Sequence, residues 1–300
     1  MSDAPAKLGN WGIDSEYGTL RDVLLGHPDF YRWEDAGPIA RRTLQNAEQL
    51  GVAFDLQLAQ AQHAEMVRCY EDAGVACHYL DADEVLHRNF FARDSSFMTP
   101  FGPVICHMQL KSRRADYVTA IKFYQDHGIP IFRMVTAGHF EGGDFVIVEP
   151  GVALVGYSTQ RSEQAGAEQV AGWMRDRGWE VQVAPIPDHF IHMDALISMV
   201  APKLAVACTE ALEPWVVAWL RGKGIEFIEV GYADCARDLA VNLVALGERR
   251  VLSMASSPGV NRCLEERGFK VYAPDMSMFT LGGGGVHCLS QSLCRDPAAS

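Results

Sequence analysis

The sequence predicts an α/β fold assembled from a repeated strand-and-helix module, and two observations predict it. Short apolar runs of β type alternate along the chain with amphipathic helical stretches. Several helical stretches end in a glycine before the next strand: Gly74, Gly128, Gly178, Gly224 and Gly268, separated by 54, 50, 46 and 44 residues. Glycine is the expected stop there, because it accepts the left-handed conformation that ends a helix. A module recurring every fifty residues or so, on the order of known repeat lengths, points to a radial or solenoid assembly. A doubly wound sheet alternates strands and helices in the same way, and at this level it fits equally well.

In chain order, the apolar runs that read as strands are Asp22–Leu25, Val104–Met108, Phe145–Val148, Val152–Gly156, Val181–Ala184, Leu204–Cys208, Val241–Leu246 and Val251–Met254. The helical stretches are 56–74, 113–126, 162–177, 212–223 and 258–267. No linker or low-complexity stretch interrupts them. One domain over residues 1–300 is therefore expected, with frayed ends at about 1–11 and 296–300.

The composition excludes several function classes. The 300 residues are 48% hydrophobic and 21% charged, ordinary for a soluble globular enzyme. The net charge of −12 argues against nucleic acid or an anionic membrane surface as a partner. It is compatible with a small cationic substrate. No run approaches the roughly 18 apolar residues of a membrane span, and Met1-Ser2-Asp3-Ala4-Pro5 has no signal pattern. A cytoplasmic protein is expected. The eight cysteines are scattered, with no CxxC and no zinc-type pairing. Free thiols and no metal are expected.

Five polar landmarks stand out: Asp94 in Arg93-Asp94, Glu141 in Phe140-Glu141-Gly142-Gly143-Asp144, His192 in His192-Met193-Asp194, Asn242 inside the strand candidate that runs to Leu246, and Cys288. Cys288 closes the run Gly282-Gly283-Gly284-Gly285-Val286-His287. Successive landmarks lie 47, 51, 50 and 46 residues apart. One polar residue per module at one phase would focus groups on a central axis. Each also has a plainer reading: a cysteine as a small hydrophobe, Asp94 as a surface pair, Glu141 as a turn residue, His192 and Asn242 as satisfied core groups. Together they suit covalent catalysis on a cation. A thiolate attacks an electrophilic carbon, an imidazole moves protons, and a carboxylate orients the imidazole. Asp94 and Asp194 could grip a planar guanidinium through charge-assisted hydrogen bonds, and the bound cation would favour the thiolate. The glycine run reads as clearance for a flat cation beside the nucleophile.

These motifs, in this order, resemble the guanidine-modifying, or pentein, superfamily, from about Ile13 to Asp296. The resemblance implies a five-module, pseudo-fivefold α/β propeller with the active site on its axis. It implies Cys288 as nucleophile, His192 as general acid and base, and Glu141 as its support. Asp94 and Asp194 would bind the guanidinium, and a Cys thiouronium intermediate would form without a cofactor. Arg113 and Arg161 would hold a substrate carboxylate, with Arg114 beside Arg113 as an alternative. Asn89 is the counterpart of an asparagine that permits a second hydrolysis in arginine dihydrolases; Asp144 and Asn242 complete the candidate set.

Within the superfamily, Thr99-Pro100-Phe101-Gly102 after Arg93-Asp94-Ser95-Ser96 and the opening Gly12-Ile13-Asp14-Ser15-Glu16-Tyr17-Gly18 look closest to the dihydrolase type. The expected activity is hydrolysis of a guanidino C–N bond of arginine or an arginine-like substrate, releasing ammonia. The alternatives are dimethylarginine dimethylaminohydrolase, releasing a methylamine, and amidinotransferase, which typically has aspartate where this chain has Glu141. A manganese amidinohydrolase is disfavoured because its Asp-x-His-x-Asp run is missing. A binding protein of the same fold is disfavoured by the complete set of thiol and imidazole. A homo-oligomer is left open.

Overall fold

The computed structural model describes residues 11–35 and 37–298. Fifteen strands form five sheets of three strands each. In chain order they are β1 (Leu20–Leu25), β2 (Ala76–Tyr79), β3 (Ser96–Thr99), β4 (Gly102–Ile105), β5 (Arg133–Met134), β6 (Phe145–Glu149), β7 (Val152–Tyr157), β8 (Glu180–Pro185), β9 (Ile197–Ala201), β10 (Leu204–Ala207), β11 (Glu226–Glu229), β12 (Val244–Gly247), β13 (Arg250–Leu252), β14 (Lys270–Tyr272) and β15 (Gln291–Arg295). Every sheet has one plan: its first strand is antiparallel to the second, and the second is parallel to the third. In four of the sheets the antiparallel pair is a tight hairpin; the parallel pair needs a crossover, which the long helices supply. In the sheet β15-β1-β2 the first strand comes from the end of the chain. This is the five-module α/β propeller; the doubly wound alternative is excluded, since no sheet exceeds three strands among the described residues.

The helices form where the sequence places an apolar stripe and a stop. The helix Leu56–Asp72 starts at Asp55, whose carboxylate accepts from the N–H groups of Gln57 and Leu58. It buries Ala59, Gln62, His63, Met66 and Tyr70, the spacing of one helical face. Pro214 and Pro258 open two later helices at a position that needs no N–H donor. All five predicted stop glycines have positive φ: 77° at Gly74, 65° at Gly128, 82° at Gly178, 76° at Gly224 and 80° at Gly268. A side chain there would be strained, so glycine ends the helix and turns the chain into the third strand of each sheet.

The structure corrects several expected bounds. The strand expected at Val104–Met108 is β4, two residues earlier. The strand expected from Val241 begins at Val244, so Asn242 lies in the turn before it. Asp296, expected among the frayed ends, is held: its N–H donates to Thr19 O at 2.9 Å and its carboxylate pairs with Arg21. Residues 1–10, 299 and 300 lie outside the described residues.

Each polar landmark precedes the first strand of a module. Asp94 comes just before β3, Glu141 before β6, His192 before β9, Asn242 before β12 and Cys288 before β15. These inner strands pack on one another, β15 on β3, β6 on β9 and β9 on β12. The near-constant spacing is therefore the module length, and it delivers one residue per module to the middle of the ring.

Candidate active site

Asp94, His192, Asp194 and Cys288 line one cleft, and the buried Glu141 and Asn242 lie behind it, bonded to His192 and to Cys288. Cys288 is half-buried and opens onto it. Its Sγ lies 3.9 Å from Asp194 Oδ2 and accepts from Asn242 Nδ2 at 3.2 Å. Asn242 Oδ1 in turn accepts the backbone N–H groups of His287, at 3.0 Å, and Cys288, at 3.3 Å. One amide thus fixes both the backbone and the sulfur of the nucleophile loop. Burial, then Asp194 and Asp94, push the Cys288 thiol well above its ordinary pKa. These effects favour the thiol over the thiolate.

The glycine run explains this loop differently from the sequence-based expectation. A Cβ at Gly282 would fall 1.7 Å from Tyr31 Oη, one at Gly284 would fall 2.2 Å from the Phe91 ring, and one at Gly285 would fall 2.5 Å from Asn242 Oδ1. These three glycines clear space for the protein's own side chains. Only Gly283, with φ of 95°, lines the cleft.

His192 is buried between two carboxylates. Its Nε2 is 3.0 Å from Glu141 Oε2 and its Nδ1 is 3.6 Å from Asp94 Oδ1. Burial alone would lower its pKa, but Asp94, Asp144 and Glu141 outweigh it and raise it to about 9. Glu141 is buried too, which opposes its charge, yet Arg161 and His192 hold it well below the usual carboxylate range. The ring fits because residue 143 is glycine: a Cβ there would sit 2.7 Å from His192 Nδ1. Asp144, the last residue of the motif, does not line the cleft. Its Oδ1 accepts the N–H of Met193 at 2.8 Å and so fixes the peptide between His192 and Asp194. Burial raises the Asp144 pKa to about 6.

Asp194 Oδ2 accepts from His287 Nδ1 at 2.7 Å. Burial opposes its charge, but this bond and the charges of His287 and His192 lower its pKa. Asp94 Oδ2 accepts from Arg113 Nη1 at 2.5 Å. Asp94, Glu141 and Asp194 each keep one buried oxygen with no hydrogen-bond partner among the described residues. Such oxygens are costly unless a ligand supplies donors.

Arg113, expected to hold a substrate carboxylate, lines the cleft and also bonds the protein. It pairs with Asp94, with Asp116 through Nε at 2.8 Å, and with the Arg88 carbonyl through Nη2 at 3.3 Å. It positions Asp94. The neighbouring Arg114 is exposed and lines no part of the cleft. Asn89 is likewise outside the cleft, with its Nδ2 donating to Thr119 Oγ1 at 2.8 Å. Arg161 does line the cleft, its Nη1 at 3.7 Å from Glu141 Oε2. Arg88 and His287 were not singled out from the sequence. His287 adjoins the nucleophile, which was signal enough to weigh it; a buried arginine such as Arg88 leaves no trace in the pattern, because arginine is ordinarily exposed.

Asp94, Glu141 and His192 offer ligand atoms within 4.8 Å of one another, a set that could hold a metal ion. Arg113 and Arg161 already bring positive charge against two of those carboxylates. That arrangement disfavours a compact divalent ion.

The family model for N,N dimethylarginine dimethylhydrolase, eukaryotic, matches residues 40–295. The chain belongs to this family, within the guanidine-modifying (pentein) superfamily. The Bacillus subtilis (strain 168) protein YkgA, itself uncharacterised, is 26% identical over 283 residues, 94% of each chain. The arginine deiminase of Rhodococcus erythropolis is 27% identical over 246 residues, 69% of this chain and 60% of the deiminase. The N-terminal domain of ArgZ, solved with a covalently bound reaction intermediate, matches with a TM-score of 0.80 at 18% identity, covering 93% of this chain and 99% of that one. ArgZ is an arginine dihydrolase of cyanobacteria. The family's guanidino-hydrolase chemistry is the setting for the cleft. Among the described residues no helix is long and apolar enough to cross a membrane.

Proposed function

We propose that the protein hydrolyses a guanidino C–N bond of arginine or an arginine-like substrate through a Cys288 thiouronium intermediate, releasing ammonia. The observation that carries this reading is the set of unpartnered buried oxygens on Asp94, Glu141 and Asp194 around one thiol and one imidazole. A guanidinium is a flat cation ringed with N–H donors, and carboxylates bind it in pairs of charge-assisted bonds.

The chemistry follows from the charges. The resting thiol sits beside two carboxylates; a bound guanidinium offsets those carboxylates, and the Cys288 proton passes to solvent water. The thiolate attacks the guanidino carbon. His192, protonated at rest, gives its Nδ1 or Nε2 proton to the departing nitrogen, and ammonia leaves. The product of this half is a cationic thiouronium on Cys288 and a neutral His192. His192 then takes a proton from water, the hydroxide adds to the same carbon, and collapse expels the Cys288 sulfur, which takes up the hydroxyl proton and leaves a neutral ureido product. Glu141 holds the imidazole through both protonation states. Asn242 Nδ2 stabilises the sulfur anion when it forms and when it departs.

A second reading is release of a methylamine from a methylated arginine, favoured by the family model that matches residues 40–295. A panel of guanidino compounds with product identification separates the two. Ammonia with citrulline or with ornithine supports the first, a methylamine the second, and guanidino transfer to an added amine would overturn both. Cys288→Ser is expected to lower turnover at least 10⁴-fold with the fold intact; retained turnover would remove the covalent route.

A further inference from the structure

The three carboxylates around Cys288 share one arrangement. One oxygen of each is held by a basic side chain of the protein: Asp94 Oδ2 by Arg113, Glu141 Oε2 by His192 and Asp194 Oδ2 by His287. The other oxygen of each is buried and has no hydrogen-bond partner among the described residues. For Glu141 and Asp194 the holder is an imidazole. For Asp94 it is a guanidinium, the same group that the proposed substrate carries. A guanidinium beside a carboxylate ordinarily neutralises it and takes both oxygens in a bidentate fork. Arg113 does neither, and the cause lies outside the cleft.

Asp116 is 0% exposed, opens the helix Asp116–Asp126 and lines no part of the cleft. Its Oδ2 accepts from Arg113 Nε at 2.8 Å. Arg113 is thereby spread over three acceptors: Asp116 at Nε, Asp94 at Nη1 and the Arg88 carbonyl at Nη2. Asp94 receives a single bond from it, and its Oδ1 is left facing His192 Nδ1 at 3.6 Å. Charge follows the same pattern. Burial pushes the Asp116 carboxyl up to about 6 against the pull of Arg113, so it is ionised at neutral pH. Arg113 and Asp116 then cancel, and Asp94 keeps the negative charge that a bound guanidinium needs. Asp116 Oδ1 is buried without a partner. A carboxylate buried in that way is costly, and it persists where its charge is used.

We propose that Asp116 is a positioning residue for substrate binding: through Arg113 it keeps Asp94 anionic and leaves Asp94 Oδ1 free for the guanidinium. This rests on the guanidino reading above. Without the Asp116 charge, Arg113 is balanced by Asp94 alone, and a cation entering the cleft meets a neutral pair. The thiol responds in the opposite sense. Asp94 is one of the charges that hold the proton on Cys288, so cancelling it makes the thiolate easier to form.

Two readouts therefore move in opposite directions, which general damage to the fold would not produce. In the Cys288→Ser protein, calorimetry compares L-arginine with its neutral ureido isostere, L-citrulline. Adding Asp116→Asn is expected to weaken arginine about 10-fold or more and citrulline less than about threefold. In the chain with its native cysteine, iodoacetamide alkylation of Cys288 at about pH 7.5, followed by peptide mass spectrometry, is expected to run at least about threefold faster with Asp116→Asn. Asp116→Ser, a second neutral variant, should repeat both changes, and Asp116→Glu, which keeps the charge, should show neither. Equal losses for the two ligands, slower or unchanged alkylation, or the same changes in Asp116→Glu would overturn the proposal. If the Cys288→Ser protein binds no arginine, the guanidino reading falls, and the alkylation rate alone decides whether Asp116 governs the charge on Asp94.

Discussion

At the scale of single residues, His192 links the chemistry to stability. It is buried and yet basic, since the carboxylates around it outweigh the burial that would discharge it. Its pKa is about 9 when folded, against roughly 6.5 when unfolded. A group whose pKa rises on folding stabilises the fold below its unfolded pKa, and that contribution is lost as pH climbs through the folded value. Comparison of the native chain with His192→Asn by urea unfolding should therefore show a stability gap at pH 6.5 that narrows by on the order of 2 kcal/mol by pH 9.5. Asp144, at about 6, is already ionised across most of that window, so the change belongs to His192. A gap that widens with pH would mean the imidazole is neutral in the folded protein. The sequence showed which residues gather here, because chemistry needs those residue types at the module spacing. It did not show who pairs with whom. Arg113 and Asn89 were plausible by position, but Asp94, Asp116 and Thr119 engage them. Arg88, one residue from Asn89, lines the cleft beside Arg113, and the sequence did not single it out.

At the scale of elements, the four-glycine loop shows how a motif is legible while its reason is not. Glycines before a cysteine point to close approach, but only the fold says what approaches. Tyr31 and Trp33 come from residues far earlier in the chain, and both donate to the Met278 carbonyl beneath the loop, at 3.1 and 2.9 Å. Gly282 must leave room for the Tyr31 hydroxyl. Gly282→Ala is therefore expected to destabilise the protein by about 1–3 kcal/mol, the usual cost of overpacking. Tyr31→Phe in the same chain should restore most of it, since it deletes the clashing oxygen while Trp33 still serves the carbonyl. If Tyr31→Phe restores nothing, the glycine answers to something other than this contact. Gly143→Ala should behave in the opposite manner. It pushes the His192 ring away from Glu141, and a displacement near 1 Å in such a site costs about 100-fold in turnover, with little change in melting temperature. Strand bounds were the least legible part of these elements. The strands β3 and β9 are buried on both faces and carry no alternation to read. Asn242 looked like a strand residue because Val241, Leu243 and Val244 are all apolar and buried, though only Val244 belongs to β12 and the other two lead into it.

At the scale of the whole molecule, a ring of five modules must close, and the chain closes it by giving its last strand to its first sheet. β15 pairs with β1 antiparallel, as β3 pairs with β4 and β6 with β7. The repeat period in the sequence revealed the modules but not the closure, because the closing strand is almost a whole chain away from its partner. Arg295, at the end of β15, carries the seam. It is 5% exposed, and its Nη1 donates to Gly18 O at 2.8 Å and to Ala245 O at 2.7 Å, so it ties the last strand to the entry of β1 and to β12. The adjacent Asp296 makes a different bond, an exposed pair with Arg21. The two invite a comparison of magnitudes. Arg295→Met would leave two buried carbonyls without their donor, at roughly 1–3 kcal/mol for each group. Asp296→Ala would remove a solvent-exposed ion pair, for which about 0–1 kcal/mol is usual. Urea unfolding should thus find Arg295→Met less stable by about 2–5 kcal/mol and Asp296→Ala nearly unchanged. Because Cys288 leads directly into β15, a loosened seam should also disturb the nucleophile, so Arg295→Met should lose turnover before it loses its fold. Similar small costs for both variants would mean that closure rests on the strand ladder alone and not on the buried arginine.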